Sequence, residues 1–373
     1  RQAVAGRPLL FLNIDRPETQ FPEDVDMYDD RVYDKARELF DRELAQGVFV
    51  REGKPCYFLY ELTMDGRSQT GVVACCAIDD YLGNVIKKHE NTRAEKEQDR
   101  IRHVDRMNAQ TGPIFLAYRQ DEAIRRLVAR VKSQAPLYDF VTEDGVGHRV
   151  WRTADPESCA ALEAAFGQIP ALYIADGHHR AASAVKVGLK RRKEHPDYTG
   201  EEPFNYFLSV LFPDEELHIL PYNRVVRDLN GMDEKEFLKA VEKNFEVECV
   251  GTEAFAPEEK GSFGMFLDGS WYSLKARESC RSKDPVKGLD VSILQDCLLE
   301  PVLGIQDPRT DKRIDFVGGI RGLGELERRT REDMRAAFSM YPTSMAELLS
   351  VADAGRLMPP KSTWFEPKLR SGL

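Results

Sequence analysis

A compact polar cluster follows an apolar run near the middle of the chain. The run is 172–175, and the cluster is Asp-Gly-His-His-Arg at 176–180. The run predicts a buried strand, and the helical spacing of Ala181 and Val185 predicts a helix after the cluster. Gly177 permits a tight turn and a close ligand approach. Because a helix N-terminus offers unpaired N–H groups and a positive dipole end, the pattern predicts an anion site suited to phosphate.

Three side chains with cationic character would occupy the first turn of this helix, where acidic residues are usually favoured. His178, His179 and Arg180 carry donors that suit phosphate oxygens, so we expect a ligand to supply the negative charge. Adjacent helical residues point about 100° apart, which makes shared metal binding by the two histidines unfavourable. A plainer interpretation makes Asp176 an N-cap and the other residues ordinary surface groups. We favour the anion site because folding does not require this cluster.

A second polar cluster, Lys-His-Glu-Asn-Thr at 88–92, is predicted to join a strand to a highly charged helix over 93–110. Thr92 and Glu95 fit a capping box, and most charges of the helix fit a solvated face. Neither the capping box nor the solvated face explains Lys88, His89 and Glu90 well. Glu90, beside a lysine and a histidine, is a candidate for a general base or a metal-binding carboxylate.

The bulk properties limit the classes of protein that fit. The chain has 373 residues, 42% of them hydrophobic, and a formal net charge of −10. The length predicts more than one subdomain, and the acidic balance argues against binding to duplex nucleic acid. No run of apolar residues reaches membrane-spanning length, and no signal peptide is visible. The seven cysteines form no CxxC pair, so we expect reduced thiols and a cytoplasmic location.

Strand-like and helix-like segments alternate irregularly along the chain, with several hairpin turns. The pattern favours an α+β fold over a doubly wound parallel sheet. It predicts a strand at 8–14, a helix at 29–46 and a hairpin that turns at Asp65 and Gly66. The division into two units is predicted near 225.

Five segments together resemble a large family of bacterial and archaeal proteins of unknown function. The resemblance covers almost the whole chain. Members of that family usually carry an upstream Pro-Pro-Tyr-Asp-Val segment and a few residues after the Ser-Gly-Leu at the end, so we expect this sequence to be part of a longer chain. The five segments are 88–92, 108–116, 171–184, 307–319 and 358–373.

The Asp-Gly-His-His-Arg unit resembles the phosphate-binding turn of the ParB/sulfiredoxin-like fold, and the free serine kinases of that fold carry the same five residues. The resemblance implies a ParB/sulfiredoxin-like nucleotide-binding core at 1–225 and an additional mixed α/β subdomain at 226–373. In sulfiredoxins a reactive cysteine stands at the position of His178, so sulfinic-acid repair is not expected. The implied activity is phosphoryl transfer from ATP or ADP with Mg²⁺, with free L-serine as the leading acceptor. A ParB-like nucleotide switch is the alternative.

The resemblance also implies roles for individual residues. Glu90 would be the catalytic base, and Asp176 a catalytic carboxylate that binds the metal, so both are expected to line one cleft. No Walker P-loop or protein-kinase motif set is present, so the nucleotide must be held in another way. The partner would be a small hydroxyl compound, with no nucleic acid and no membrane, and the sequence does not indicate an oligomeric state. The residues expected to hold the nucleotide are Lys88, His89, Gly177, His178, His179 and Arg180.

Overall fold

The computed structural model describes residues 2–92 and 94–373, without the side chains of residues 3, 95 and 96. The chain forms two compact units. Unit 1 comprises Arg1–Leu217 and Pro367–Leu373, and unit 2 comprises His218–Glu366. The chain therefore returns to unit 1 at its end, whereas the sequence predicts a single division near 225.

Unit 1 is built on a mixed eight-stranded sheet. Its strand order is β3-β7-β4-β8-β2-β1-β6-β5. The strands are β1 (Tyr57–Met64), β2 (Arg67–Ala77), β3 (Ile86–Lys87), β4 (Ile114–Tyr118), β5 (Tyr138–Val141), β6 (Gly147–Thr153), β7 (Leu172–Asp176) and β8 (Tyr206–Pro213).

The helices of unit 1 begin at residues that favour helix starts. Side-chain oxygens of Asp29, Asp121 and Asp155 accept hydrogen bonds from first-turn N–H groups of the helices that follow. The helices are α1 (Leu12–Asp15), α2 (Asp30–Ala45), α3 (Ile78–Leu82), α4 (Ala94–Met107), α5 (Glu122–Lys132), α6 (Pro156–Phe166) and α7 (His178–Glu194).

Two strand pairs in this sheet are parallel, and the remaining neighbours are antiparallel. β3 runs parallel to β7, and β4 runs parallel to β8. β4 and β7 are antiparallel, with Phe115 opposite Asp176. The end of β7, the end of β3 and the start of β4 therefore lie at the same edge of the sheet.

The core of unit 1 lies between this sheet and its helices. Helix α7 buries Ala181 and Val185 in the same cluster as Ile114 and Ile174 of the sheet. A separate cluster joins Ile14 to Ala36 of α2. The apolar faces of α2 and α7 are therefore buried. This packing holds the start of α7 against the end of β7.

Unit 2 contains a six-stranded antiparallel sheet in the order β11-β13-β12-β15-β10-β14 and a two-stranded pair of β9 with β16. Its core includes the fully buried Trp271. The strands are β9 (Ile219–Leu220), β10 (Tyr222–Val226), β11 (Phe245–Gly251), β12 (Ser262–Leu267), β13 (Ser270–Ala276), β14 (Ile314–Gly318), β15 (Ala336–Met340) and β16 (Trp364–Phe365). The helices are α8 (Glu234–Val241), α9 (Asp290–Leu294), α10 (Leu323–Glu332) and α11 (Met345–Asp353).

Most predicted elements are confirmed, and one is wrong. The helix predicted at 29–46 is α2, and the predicted hairpin joins β1 to β2 through Asp65 and Gly66, whose φ values are 53° and 77°. The strand predicted at 8–14 is instead a turn followed by α1. Phe11 and Ile14 of this segment pack in a cluster with α2, so a strand is not needed to bury them.

The mixed sheet confirms that strands and helices intermix in one fold. The ParB/sulfiredoxin-like character of the core stays a prediction. All seven cysteines are free thiols, as the sequence predicts. None of the helices in the described part of the chain is long and apolar enough to cross a bilayer.

Candidate active site

The two polar clusters meet at one edge of the unit 1 sheet. Cluster 88–92 follows β3, and cluster 176–180 spans the end of β7 and the start of α7. Because β3 and β7 are parallel neighbours, both clusters emerge at the same edge. The loop 108–113 also ends there, since β4 is antiparallel to β7. Three segments that are distant in sequence therefore form one site, which we call the β7 edge site.

The N-terminus of α7 begins at a glycine and is not capped by a side chain. Gly177 occupies the N-cap position with φ 98° and no side-chain cap, and the first turn contains no acidic residue. Asp176 is therefore not the N-cap of this helix. The left-handed backbone at Gly177 suits glycine, which has no side chain to strain this conformation. The unpaired N–H groups of the first turn are not neutralised by a side chain of their own helix.

Arg180 folds back over this N-terminus and is held there by two acceptors. Its Nη1 donates to the Pro113 carbonyl at 2.6 Å, and its Nη2 donates to Asp176 Oδ2 at 2.9 Å. A Cβ added to Gly177 would lie 3.0 Å from the guanidinium nitrogens. The guanidinium is thus fixed in orientation beside the helix start, and a guanidinium carries more N–H donors than these two bonds use.

A pair of buried histidines joins the two clusters. His89 is 2% exposed and His178 is 6% exposed, and their ring centroids lie 4.5 Å apart with the rings nearly perpendicular. The backbone N–H of His89 donates to His178 Nε2 at 3.5 Å. Because Nε2 accepts this bond, the proton of the neutral His178 ring lies on Nδ1.

Both imidazoles are held in the neutral form. Burial lowers the pKa of His89 to about 4, although the negative charge of Asp176 acts in the opposite direction. Burial also lowers the pKa of His178 well below its usual value, with the charges of neighbouring groups adding to the effect. At neutral pH these rings therefore act as polar donors and acceptors rather than as cations.

The two predicted catalytic carboxylates flank this histidine pair. Glu90 Oε2 lies 3.8 Å from His178 Nδ1, and the Glu90 side chain is 54% exposed. Asp176 is close enough to influence the pKa of His89. Its Oδ2 accepts from Arg180, and its Oδ1 lies 3.6 Å from the ammonium of Lys368. One carboxylate thus faces a neutral imidazole, and the other faces two cations.

Two further predicted ligands, Lys88 and His179, lie close enough to His178 to influence its pKa. The Lys88 ammonium stacks over the Tyr81 ring at 4.4 Å, and its charge contributes to the low pKa of His178. His179 lies close to Glu97 and helps to lower the pKa of that carboxyl. Lys88 and His179 therefore act on the charges of His178 and Glu97, and their roles in binding a ligand stay predictions.

An ion pair between a buried glutamate and a half-exposed lysine, which residue patterns alone do not indicate, connects α4 to α7. Glu97 on α4 forms a salt bridge with Lys186 on α7, and the Thr92 hydroxyl donates to Glu97 Oε2 at 2.6 Å. Burial alone would raise the pKa of Glu97, but the bonds from Lys186 and Thr92 outweigh it and lower the pKa. Thr92 thus anchors the 88–92 cluster to α7. The Glu95 side chain of the predicted capping box lies outside the described residues.

The end of the chain also contributes to the β7 edge site. Lys368 reaches Asp176, and a Cβ added to Gly112 would lie 3.3 Å from the Ser371 hydroxyl and 3.2 Å from Arg180 Nη1. Gly372 packs against Phe11 without room for a side chain. The segment 358–373, noted in the sequence only as part of the family resemblance, thus supplies a cation that residue patterns alone did not indicate.

Asp176 is the residue predicted to bind a metal ion. In the described residues no group of three or more His, Cys, Asp or Glu side chains is arranged to hold a metal ion. Asp176 has a half-exposed carboxylate that already contacts Arg180 and Lys368. Mg²⁺ commonly takes one or two carboxylates and completes its shell with water and substrate phosphates. Binding of Mg²⁺ therefore stays a prediction, and Asp176 could take part in it only if the ion is bound together with a nucleotide.

The chain belongs to the DUF1015 family, described as "Protein of unknown function", whose model matches residues 1–292. No curated protein matches the sequence.

Several solved structures resemble the fold weakly. A free serine kinase in complex with AMP is 14% identical, with 79% of this chain and 86% of that chain covered and a TM-score of 0.38. A variant of a free serine kinase in complex with ADP is 13% identical, with coverages of 79% and 87% and a TM-score of 0.38. C-terminally truncated SbnI from Staphylococcus aureus is 9% identical, with coverages of 80% and 84% and a TM-score of 0.42.

The buried histidine pair predicts a specific dependence of stability on pH. In the unfolded chain His89 takes up a proton near pH 6.5, whereas burial lowers its pKa in the folded protein to about 4. The contribution of neutral His89 to the free energy of unfolding is fully present above pH 6.5 and is lost as the pH falls toward 4. We expect the free energy of unfolding to fall by about 2 kcal/mol between pH 7 and pH 5 because of His89.

Urea unfolding at the two pH values measures this loss. His89→Gln should remove this part of the loss, and His195→Gln, which changes an exposed ring, should keep the wild-type loss. An undiminished loss in His89→Gln would show that His89 is not buried as described.

Proposed function

We propose that this DUF1015 chain is a nucleotide-dependent phosphotransferase that acts on the hydroxyl group of a small molecule. The leading acceptor is free L-serine, and the donor is ATP or ADP. The observation that carries the proposal is the β7 edge site, where an unneutralised helix start and a fixed guanidinium lie beside a carboxylate. The identity of the acceptor, and the ParB/sulfiredoxin-like character of the core, rest on the resemblance of the 176–180 unit to the free serine kinases.

The helix start and Arg180 supply what phosphoryl transfer mainly needs, which is positioning and neutralisation of charge. N–H groups of the first turn after Gly177 would donate to phosphate oxygens, as helix N-termini do in other anion sites. Arg180 would add charge-assisted bonds, and its orientation is already set by Asp176 and the Pro113 carbonyl. Lys368 places a further positive charge beside Asp176.

Glu90 would act as the base. It would accept the proton of the acceptor hydroxyl as the hydroxyl oxygen bonds to the terminal phosphorus of the donor. The bond from that phosphorus to the bridging oxygen then breaks, and the shortened nucleotide leaves with the electron pair. Nδ1 of His178 lies 3.8 Å from Glu90 Oε2, so the carboxylate stands beside a neutral imidazole.

Mg²⁺ would be bound mainly by the phosphate oxygens, with Asp176 as its carboxylate ligand, and when bound would neutralise charge on the phosphates. His89, buried behind His178, would hold that ring through its backbone N–H. Lys88 and His179 would contribute positive potential at the rim of the site.

Removing the base should separate binding from turnover. In Glu90→Gln we expect nucleotide affinity to stay close to wild type and phosphoserine formation to fall about 10²–10⁴-fold, the usual contribution of a general base. Phosphorus NMR of reactions that contain serine, with ATP or ADP as donor, measures the product. Glu143→Gln, which changes an exposed hairpin residue, is the matched control and should keep full activity.

The same assay separates the alternatives. Transfer to another hydroxyl compound would keep the mechanism and change the acceptor. Nucleotide hydrolysis that ignores serine and every other acceptor would contradict the transferase and favour a ParB-like nucleotide switch.

Loss of the guanidinium should weaken the binding of the donor. We expect Arg180→Ala to reduce ADP binding by about 1.5–3 kcal/mol, as for a lost hydrogen bond between charged groups. Isothermal titration calorimetry measures the change, and Arg51→Ala, at an exposed position, provides the control. Unchanged ADP affinity in Arg180→Ala would place the phosphates elsewhere.

A further inference from the structure

A cavity of about 530 Å³ lies in unit 1 beside helix α7. Its lining includes the α7 face around Ala184 and Gly188, the loop 108–110, the start of β8 with Tyr206, and single residues of β2 and α4. Its volume is within the roughly 300–1,000 Å³ that small-molecule sites occupy. No role assigned so far to the β7 edge site uses these residues.

The cavity continues the β7 edge site along one face of α7. Arg180, Ala184, Gly188 and Arg191 follow one another at steps of one helical turn, and the last three line the cavity. A helix rises about 1.5 Å per residue, so Ala184 lies roughly 6 Å beyond Arg180 along the axis.

The loop 108–113 contributes residues to both the cavity and the β7 edge site. Asn108, Ala109 and Gln110 line the cavity. Pro113 accepts a hydrogen bond from Arg180. One continuous loop thus borders both the guanidinium and the cavity.

The walls of the cavity suit a flat and largely apolar molecule. Phe204 and Tyr206 contribute aromatic rings, and valine and leucine side chains add apolar surface. The wall near β8 is fixed, because Gln110 donates to the Tyr206 carbonyl at 3.0 Å and accepts from the Leu208 N–H at 2.5 Å. Gly188 packs so closely that an added Cβ would lie 2.4 Å from the Phe204 carbonyl oxygen. Such a site is largely formed before any ligand arrives.

We propose that this cavity binds the base and sugar of the donor nucleotide whose phosphates lie at Gly177 and Arg180. The inference rests on the proposed function for the nature of the ligand, and it adds where the nucleoside lies. A base between aromatic and aliphatic walls gains from burial and from contacts with ring faces. The phosphates would then leave the cavity past residues 112–113 toward the start of α7.

Cys75 makes this arrangement testable without changing the fold. Cys75 is an exposed residue that lines the cavity, whereas the neighbouring Cys76 is buried. Burial raises the pKa of the Cys75 thiol and raises that of Cys76 to about 12. Alkylation by iodoacetamide at a mildly alkaline pH should therefore modify Cys75 and not Cys76, because the thiolate is the reactive form. Cys249 in unit 2 is also exposed and serves as an internal reference.

We expect saturating ADP to slow the alkylation of Cys75 at least roughly tenfold and to leave Cys249 unchanged, because a bound nucleoside blocks access to the cavity. Pyrophosphate, which carries the phosphates without a base, should leave the Cys75 rate close to that of the ligand-free protein. Mass spectrometry of peptides from the intact chain reads both sites in one sample.

A filled cavity provides the second measurement. Ala184→Leu should weaken ADP binding roughly tenfold or more while keeping the affinity for pyrophosphate, since only the nucleoside part loses its place. Ala129→Leu, on an exposed face of α5, is the matched control. If Ala184→Leu fails to fold, the alkylation experiment on the wild-type protein still tests the proposal.

The outcomes of these experiments test the nucleoside site separately from the proposed function. If ADP binds but does not protect Cys75, or if pyrophosphate protects it equally, the nucleoside site is wrong and the proposed function stands. If neither ADP nor pyrophosphate binds the wild-type protein, both the nucleoside site and the proposed function are wrong.

Discussion

The contact between two buried histidines holds the β7 edge site together. His89 follows β3 and His178 begins α7, so their contact fixes two strand ends that are joined only by a short parallel pairing. Both rings are excluded from water, which keeps them neutral and sets the direction of the proton on His178. Glu90 and Asp176 take their places on either side of this pair. If the pair were charged, the mutual repulsion of two imidazolium rings would oppose the packing on which the site depends.

Charge balance at the site follows from this geometry. Asp176 pairs with Arg180 and Lys368, and Glu97 pairs with Lys186. These ion pairs orient the cations, but the positive end of the α7 dipole has no acidic residue of its own helix to neutralise it. In the proposed function a bound phosphate would complete this balance, although the chain as a whole carries an acidic net charge.

Local patterns predicted the local structure well. The turn at Asp65 and Gly66 was predictable because both residues tolerate positive φ, and α2 was predictable because its apolar residues repeat at helical spacing. The apolar run at 8–14 was mistaken for a strand, since a short run is equally satisfied by packing a turn and a helix on α2. The polar clusters of the site were recognisable as residues that folding does not require.

Long-range features were not accessible from the sequence. The return of Lys368 to Asp176 depends on the path of the chain after unit 2, and no local pattern encodes it. The neutral state of His89 depends on burial by residues far away in sequence, and the cavity beside α7 depends on several segments that meet only in the fold. Residue types therefore indicated the chemistry, whereas the protonation states and the shape of the site required tertiary structure.

The most direct test of the account is a crystal structure of the protein with ADP and Mg²⁺. The account predicts that the terminal phosphate accepts hydrogen bonds from the N–H groups that follow Gly177 and from the Arg180 guanidinium, with Glu90 facing the same phosphate. ADP bound with its phosphates away from the start of α7 would contradict it.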